Sequence, residues 1–457
     1  VDEVHVIVRE SQAKEERYQR AQALRNLRDG IVPGSDEMAK ARGAIIRERE
    51  NSIFSDAWLP LALLLLVIGF IADRSAPYLA IGLGLIFIFL LSSWWKRAAL
   101  VGVTYDRSFN RDHVFPGERV RMTLTFKNRK PLPLTWLQFR DELPYPPEDA
   151  DDISVMASEL SGRFILENSL SLNGFEQTQR RINLRFPKRG FYSLGPVQFL
   201  SGDIFTLFTI EREHNYHDTL VVYPQVWPLE ALELPAKELF GEFKVQRSLF
   251  TDPIKTQGIR DYQPQDRFRD VHWKATARRN ELQTKVYDPT TGINVVAFLN
   301  VATFPKHWMG FEPKLLERAV SVTASIASYA AEQKWGVGVF ANGSIPGSDQ
   351  PIKVPPGRSP DQLIKILEAL AAVTEFATGS IELLMHRESP RLPWAATLVL
   401  ITAVVTEEML VSLIRLNKAG RQIALISLSD EPPPSDLGRI RIYHIPSTVR
   451  AFQQPVM

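Results

Sequence analysis

Not one of the 457 residues is a cysteine. That excludes disulfides, thiol catalysis and cysteine-ligated zinc or iron–sulfur centres, and leaves the compartment open. An excess of charge is missing as well: 54 Lys and Arg against 52 Asp and Glu leave a formal net charge of +2. A surface built overall to hold nucleic acid is thereby excluded, local basic patches aside, and no nucleic-acid partner is expected. No cleavable leader is expected either. The chain begins at Val1, as trimming or an alternative start would leave it, and the first apolar run begins only at Ala57, beyond the reach of a signal peptide.

What is present suits a folded chain of several parts. The hydrophobic fraction is 45%, and the length exceeds one ordinary core, so two or three units are expected. Residues 1–56 form a polar tail. Within it, residues 11–28 read as a helix stopped by Gly30 and Pro33, and residues 35–50 as a second helix with Asp36 and Glu37 in its first turn, where the helix dipole favours acids. Neither carries a wide apolar stripe, which reads as solvated helices or a partly disordered tail rather than a docking helix.

Residues 57–72 (AWLPLALLLLVIGFIA) are apolar and free of charge, Asp73 and Arg74 interrupt, and residues 76–95 (APYLAIGLGLIFIFLLSSWW) are apolar again. Both runs approach bilayer thickness, the first slightly short. Backbone in lipid must bond internally, so a two-helix transmembrane hairpin over residues 57–99 is expected. A buried hairpin in a soluble core would be equally apolar, but Trp58, Trp94, Trp95 and flanking charges coincide with the run ends, as interfacial anchors do. Arg42, Arg47 and Arg49 precede the hairpin and Lys96, Arg97 and Arg107 follow it, whereas its turn holds only Arg74 beside Asp73. The positive-inside rule then puts both termini and the globular body in the cytoplasm, on a multi-pass protein of the inner (plasma) membrane.

Residues 100–225 alternate short period-two runs, such as VRMTLTF at 120–126, with turn signals at Pro116-Gly117, Asn128, Gly174, Arg189-Gly190 and Gly195-Pro196. That spacing predicts an antiparallel β-sandwich, immunoglobulin-like in kind. Residues 226–290 read as a connector followed by a dense polar and aromatic segment. From residue 291 to 457 apolar strands alternate with helices: strands at 293–300, 336–341, 397–402, 421–428 and 442–445, helices at 313–334 and 407–419, and a third begun by Ser359, Pro360 and Gln362 as a capping box. Gly420 closes the 407–419 helix. The alternation predicts an α/β, doubly wound sheet covered on both faces, with any ligand at the carboxyl ends of its strands.

The segment at 258–287, GIRDYQPQDRFRDVHWKATARRNELQTKVY, concentrates Arg, Asp, His, Trp and Lys as nowhere else in the chain. Pro264, Gln265 and Asp266 read as a turn, and residues 270–279 as a short helix that Asp270 could cap. Helical spacing places Val271, Lys274, Ala275 and Arg278 along one side. Leu282 to Tyr287 returns as a strand.

This segment resembles the signature of a bacterial and archaeal family known as domain of unknown function 58, loosely Gly-x-Arg-x-Tyr-x-Pro-Gly-Asp-x-x-Arg-x-Ile-His-Trp-Lys-x-x-Ala-Arg. Gly258, Arg260, Tyr262, Pro264, Asp266, Arg269, His272, Trp273, Lys274, Ala277 and Arg278 match, Val271 stands for Ile, and Gln265 replaces the usual Gly. Asn128, LPLTWL at 132–137, RGFYSLGPVQF with Ser201-Gly202-Asp203, and VVYPQVWPL extend the resemblance over about residues 57–430. The resemblance implies two membrane spans, a von Willebrand factor A-like α/β domain, and a partner, since members commonly accompany MoxR-type AAA+ ATPases. Such α/β domains often hold a divalent metal through Asp-x-Ser-x-Ser. Here Asn300, Ala302 and Phe304 occupy those positions, without the charge or the hydroxyls a hard cation needs. No metal and no cofactor are expected.

Arg260, Tyr262, Pro264, Asp266, Arg269, His272, Trp273, Lys274 and Arg278 are therefore the candidate site. Structurally, Arg260, Arg269 and Arg278 would pair with Asp261, Asp266 and Asp270, and Trp273 would plug a domain junction with its N–H satisfied. Functionally, the segment would be the interaction site of a membrane-tethered, non-enzymatic scaffold or client of the ATPase. Two alternatives remain. Arg267, Arg269, Lys274, Arg278, Arg279 and Lys285 could form a basic face for a phosphate, acidic lipid or acidic tail. His272, oriented by Asp266 or Asp270, could serve a hydrolase, but no GxSxG elbow or metal spacing accompanies it, and residues two apart on a helix do not face each other.

Overall fold

The computed structural model describes residues 45–52, 58–71, 76–148, 154–158, 162–204, 207–235, 256–264, 266, 268–287, 293–306, 309–346, 348–394, 396–434 and 437–453. The chain divides into two compact units, Val1–Pro224 with Val456–Met457, and Gln225–Pro455. The helix expected over residues 11–28 lies outside the described residues, as do Gln265, Arg267, the connector beyond residue 235 and the turn holding Asp73 and Arg74.

The second expected helix is corrected at its end: Ile45–Ser52 is a strand, β1. Its alternating charges match a partner strand. In antiparallel register with Phe208–His214 (β11), Arg47 faces Glu213, Glu48 faces Arg212 and Arg49 faces Glu211, and Arg212 Nε lies 3.3 Å from Glu48 Oε2. Cross-strand charge pairs of this kind override a local helical preference.

After β1 come two apolar helices, α1 (Trp58–Ile71) and α2 (Ala76–Ala99). They pack closely: a Cβ added at Gly82 would lie 2.9 Å from Leu66 Cγ. α2, with 24 residues, is long and apolar enough to cross a bilayer, whereas α1 has 14. At about 1.5 Å per residue α1 reaches about 21 Å, short of a hydrocarbon core about 30 Å thick. The expected pair of spans is thus one helix of spanning length and a shorter apolar partner.

The rest of the first unit is made of β-sheets. One is six-stranded in the order β1, β11, Val197–Gly202 (β10), Leu134–Leu143 (β5), Phe164–Leu172 (β7) and Ser154–Ala157 (β6). A three-stranded sheet joins Val103–Phe109 (β2), Arg119–Asn128 (β4) and Gln177–Arg185 (β8). Another joins His113–Val114 (β3), Asp218–Val222 (β12) and Gly190–Leu194 (β9). All pairings are antiparallel except that of β3 with β12. Alternate residues point inward, so Val120, Met122, Leu124 and Phe126 of β4 meet Leu137 and Phe139 of β5 in one core. Arg107 does not flank the membrane. It is buried in this core, bonded to Asp141 and Asp218, because a lone guanidinium between sheets is tolerable only with carboxylates beside it.

In the second unit, Thr256–Asp261 (β13) and Gln283–Tyr287 (β14) form a two-stranded antiparallel sheet, with the helix Trp273–Arg279 (α3) between them in sequence. A six-stranded sheet follows, ordered Pro351–Gly357 (β17), Gly336–Ser344 (β16), Asn294–Leu299 (β15), Thr397–Thr402 (β18), Gln422–Ser427 (β19) and Arg441–His444 (β20). Every pairing is parallel except that of β17. The order reverses between β15 and β18, the doubly wound pattern. Pro313–Glu332 (α4) packs on β15, β16 and β18 and against Gln362–Ala371 (α5). Ile381–Glu388 (α6) and Glu407–Lys418 (α7) share a core with Val296, Phe298, Leu398 and Leu400. A short helix, Arg450–Gln453 (α8), ends the described residues.

The capping box at α5 is corrected. The side-chain Nε2 of Gln362 donates to the carbonyls of Val337 and Pro355, where the register of β16 with β17 is irregular and buried carbonyls need a donor. Gly420, at φ +89°, does end α7.

Candidate functional site

The signature residues fold as a hairpin that carries a helix. In β13 and β14, Arg260 faces Thr284 and Asp261 faces Gln283. The turn after β13 closes without glycine, Asp266 N–H donating to Gln263 O at 2.8 Å. Arg260 holds Asp266 by both nitrogens, at 2.7 and 2.6 Å, and Tyr262 OH donates to Asp266 O at 3.0 Å. Pro264 lies in the turn between them and is exposed. Arg260, Tyr262, Pro264 and Asp266 are thus one closed loop. Hydrogen bonds from Arg260 and from the Gln263 N–H hold the Asp266 carboxyl below its usual range, and the same bond raises Arg260.

α3 is capped by His272, not by Asp270. His272 Nδ1 accepts the Ala275 N–H at 3.0 Å, which leaves Nε2 as the ring's other nitrogen. Asp270 lies two residues earlier, at the end of the turn Phe268–Asp270, 3.9 Å from Arg269, and its carbonyl accepts a hydrogen bond from Thr284 Oγ1 at 3.3 Å. The helix is fastened to β14 by residues that the sequence did not single out. Gln283 N–H donates to Thr276 Oγ1, Gln283 Nε2 to Asp261 Oδ1, and His272 N–H to Gln283 O. Val271, Gln283 and Thr284 are buried. No alternation in 282–287 marks them: Gln283 and Thr284 are adjacent and both buried, and only the partner strand and α3 give them a role.

Trp273 plugs nothing among the described residues. It is 60% exposed and stands edge-on to Phe268, itself 62% exposed, at 5.5 Å between ring centres. Arg269 is exposed beside them. On another side of the helix, Lys274, Ala275, Arg278 and Arg279 join His272 and Ile259 around a cavity of about 240 Å³. The expected pairing of the arginines holds for Arg260 and Arg269. Arg278 departs from it: among the described residues neither Arg278, Arg279 nor Lys274 has an ion-pair partner. The three aspartates of the segment are committed, Asp266 to Arg260, Asp270 to Arg269 and Asp261 to Gln283. The His–Asp arrangement of a hydrolase is not assembled, since Nδ1 of His272 is held by the backbone and neither Asp266 nor Asp270 bonds to it.

At the carboxyl ends of the six-stranded sheet, Asn300 is buried in a neutral network. Its Nδ2 donates to Thr402 Oγ1 at 3.1 Å, and its Oδ1 accepts Ala302 N–H and Asn342 Nδ2. Asn342 Oδ1 accepts Val301 N–H, and Thr402 Oγ1 donates to Val404 O. Thr303 Oγ1 accepts Glu312 N–H. These residues do not fit a divalent cation, which requires several free oxygens and carboxylate charge; Ala302 and Phe304 offer neither.

A search of curated proteins finds similarity to an uncharacterised protein, YeaD, of Bacillus subtilis, 26% identical over 244 residues. The match covers 52% of this chain and 55% of the relative, so it spans about half the length of each. Solved structures give weak likenesses. The CARDB domain of a Pyrococcus furiosus protein matches 26% of this chain and 86% of its own at 14% identity, with a TM-score of 0.18. The sporulation control protein Spo0M of Bacillus subtilis matches 29% of this chain and 55% of its own at 16% identity, with a TM-score of 0.16. At such scores the likeness does not extend to the fold as a whole. Over residues 258–441, from the signature hairpin to the last strand of the parallel sheet, the chain matches the family described as protein of unknown function DUF58.

Proposed function

We propose that this chain is a membrane-tethered interaction protein of the cytoplasmic face of the inner membrane, and that a MoxR-type AAA+ ATPase engages it through the β13–α3–β14 hairpin. The observation that carries the docking site is the Phe268–Trp273 pair. Two large aromatic rings stand in solvent beside an exposed Arg269, Phe268 in the turn that precedes α3 and Trp273 at the first position of α3, with Thr284 bonded to that turn and Gln283 to the helix. Exposed aromatic and Arg clusters on rigid supports are the usual anchors of protein interfaces. The α/β unit is read as von Willebrand factor A-like, supported by its doubly wound order. The protein is assigned no reaction of its own.

The two-span tether is supported by connectivity. β1 precedes α1, β2 follows α2, and both strands belong to the same folded unit. A folded unit stays on one side of a bilayer, so the chain between β1 and β2 crosses an even number of times. If α2 crosses, α1 crosses back, with local thinning or tilt of neighbours meeting its short length. The cysteine-free background makes this directly testable. Arg74→Cys should react with an impermeant maleimide in intact cells, and Glu48→Cys only after permeabilisation; the reverse pattern inverts the topology.

The partner is tested by co-purification from native membranes with mass spectrometry. An AAA+ ATPase should accompany the wild type and be lost from an Arg269→Ala/His272→Ala/Trp273→Ala chain that remains folded by circular dichroism. Equal recovery with both chains would move the docking surface elsewhere, and no ATPase above background with either would end the ATPase reading.

A second reading, anion binding, is favoured by the cavity around Lys274, Arg278 and Arg279, three cations without ion pairs among the described residues. Binding of inorganic phosphate there should weaken with ionic strength and be lost in Lys274→Gln/Arg278→Gln.

A further inference from the structure

The body does not hang from α2 by a flexible linker. Three residues separate Ala99 from β2, and Lys130 Nζ donates to Ala99 O at 2.6 Å, tying the β4–β5 connection to the end of the helix. The sheet also runs back along α2. Both β10 and β11 contact it, and Phe208, the first residue of β11, packs edge-on against Phe89 with ring centres 5.6 Å apart.

Depth follows from helix geometry. Trp94 and Trp95, the residues of α2 suited to the headgroup level, stand five and six positions after Phe89. At about 1.5 Å per residue, Phe89 lies roughly 7–9 Å deeper along the helix than these tryptophans. The headgroup layer is only roughly 5–8 Å thick on each side. A residue packed on Phe89 therefore sits near the start of the acyl chains.

The hairpin tip is suited to that place. Ile204 is 49% exposed although large and apolar, and Leu207 is half-buried. Asp203, the acid at the turn, is buried. Its Oδ1 accepts the Phe208 N–H at 2.7 Å, and its carbonyl accepts Trp136 Nε1 at 3.4 Å. Its side chain is folded inward, and among the described residues of this connection Ile204 is the one exposed. β1 reaches the same level, Ser52 facing Phe208, just before α1 begins.

We infer that the end of the β10–β11 hairpin nearest α2, at Ile204 and Leu207, is inserted into the headgroup–acyl boundary of the bilayer beside α2. The hairpin is a third membrane contact and fixes the orientation of the sheet unit against the lipid surface. The inference rests on the proposal that α2 spans the membrane, and adds to it a surface that a tether alone would not require.

The test uses the full chain, reconstituted in phosphatidylcholine vesicles, with single cysteines introduced on its cysteine-free background. Ile204→Cys, Leu83→Cys in α2 and Arg121→Cys on the exposed side of β4 are each labelled with an NBD fluorophore. Quenching by phosphatidylcholine carrying a nitroxide at acyl carbon 5 is then measured. The Ile204 label should emit to the blue and be quenched at least threefold more than the Arg121 label. An Ile204 label no more quenched than that at Arg121, with Leu83 quenched, overturns the insertion and leaves the tether standing. A Leu83 label that is not quenched defeats the tether reading and the insertion with it. Because Ile204 is exposed and its backbone is unchanged, the substitution itself puts little of the fold at risk.

Discussion

Arg107 and Asp141 meet at 2.6 Å with both side chains wholly removed from solvent. Tyr105 OH donates to the second oxygen of Asp141 at 3.0 Å, and Arg107 Nη1 reaches Asp218 at 3.1 Å. Burial opposes the charge on Arg107, but Asp141, Tyr105 and Asp218 more than offset it and hold the guanidinium charged, above its usual value. The consequence is asymmetric. Asp141→Asn or Arg107→Met alone should cost about 3–5 kcal/mol, because each leaves a buried charge without its partner. Arg107→Met/Asp141→Leu should recover most of that loss. Denaturant midpoints of the four chains give the coupling, and a double variant as unstable as the sum of the singles would contradict it.

Lys130 carries a pH signature. Burial at the end of α2 brings its ammonium down to about 8, against about 10.4 in an unfolded chain. Between those values the unfolded chain binds more protons, so stability rises with pH across that window. The gain should be small, since the side chain is only half-buried and solvent screens it. Thermal midpoints at pH 7.5 and 9.5 should show a rise in wild type that Lys130→Met lacks. Acetylation of Lys130 should reach half its maximal rate near pH 8, whereas a midpoint near 10 would mean the ammonium is fully hydrated.

After residue 291, β15, β16, β18, β19 and β20 and the helices α4, α5 and α7 were readable because each carries its own signal, whereas α6 was not read. Apolar runs mark the buried strands, and Gly420 marks the end of α7. β17 was not readable. PIKVPPG holds three prolines, which remove ladder donors and are tolerated here because the strand is an antiparallel edge. β1 was misread for the opposite reason: its local charges favour a helix, and only the distant acids and bases of β11 decide otherwise. In the signature, the residue types and the helix were legible. The cap went to His272 because it is the last residue before the helical turn and its Nδ1 reaches the Ala275 N–H, and the exposure of Trp273 depends on which neighbours the fold supplies.

Arg421 is buried without a carboxylate. Its guanidinium donates to the carbonyls of Ser389, Leu392, Pro393 and Trp394 and lies 4.9 Å from the Trp394 ring centre. One planar fork thereby fastens the 389–394 segment to the start of β19. Lysine cannot reproduce that fork. Arg421→Lys should therefore lose about 2 kcal/mol and Arg421→Leu about 3, the charge-assisted bonds being the larger part. Denaturant midpoints check this, and a neutral Arg421→Lys would show that charge alone suffices.

Asn300 is the buried amide at the centre of the neutral network at the carboxyl ends of the sheet, which makes it a test of how far the site is from holding a cation. Asn300→Asp replaces the donor facing Thr402 with an oxygen, while the Thr402 proton is already given to Val404 O. Two lone pairs then face each other and a charge is buried, at a cost of about 1–3 kcal/mol. Millimolar Mg²⁺ should not restore that loss, because Ala302 and Phe304 supply no oxygens and a single carboxylate does not hold a hard cation. Asn300→Asp/Ala302→Ser/Phe304→Ser adds the missing hydroxyls. Mg²⁺ should raise the thermal midpoint of the triple variant, by about 2.7 kcal/mol in stability at one hundred times its dissociation constant, and an unchanged midpoint would show that the backbone there does not present the three side chains to one ion. Rescue of Asn300→Asp alone would mean that Thr303 and Thr402 already complete a cation site, and that the neutral network is one substitution away from a metal centre.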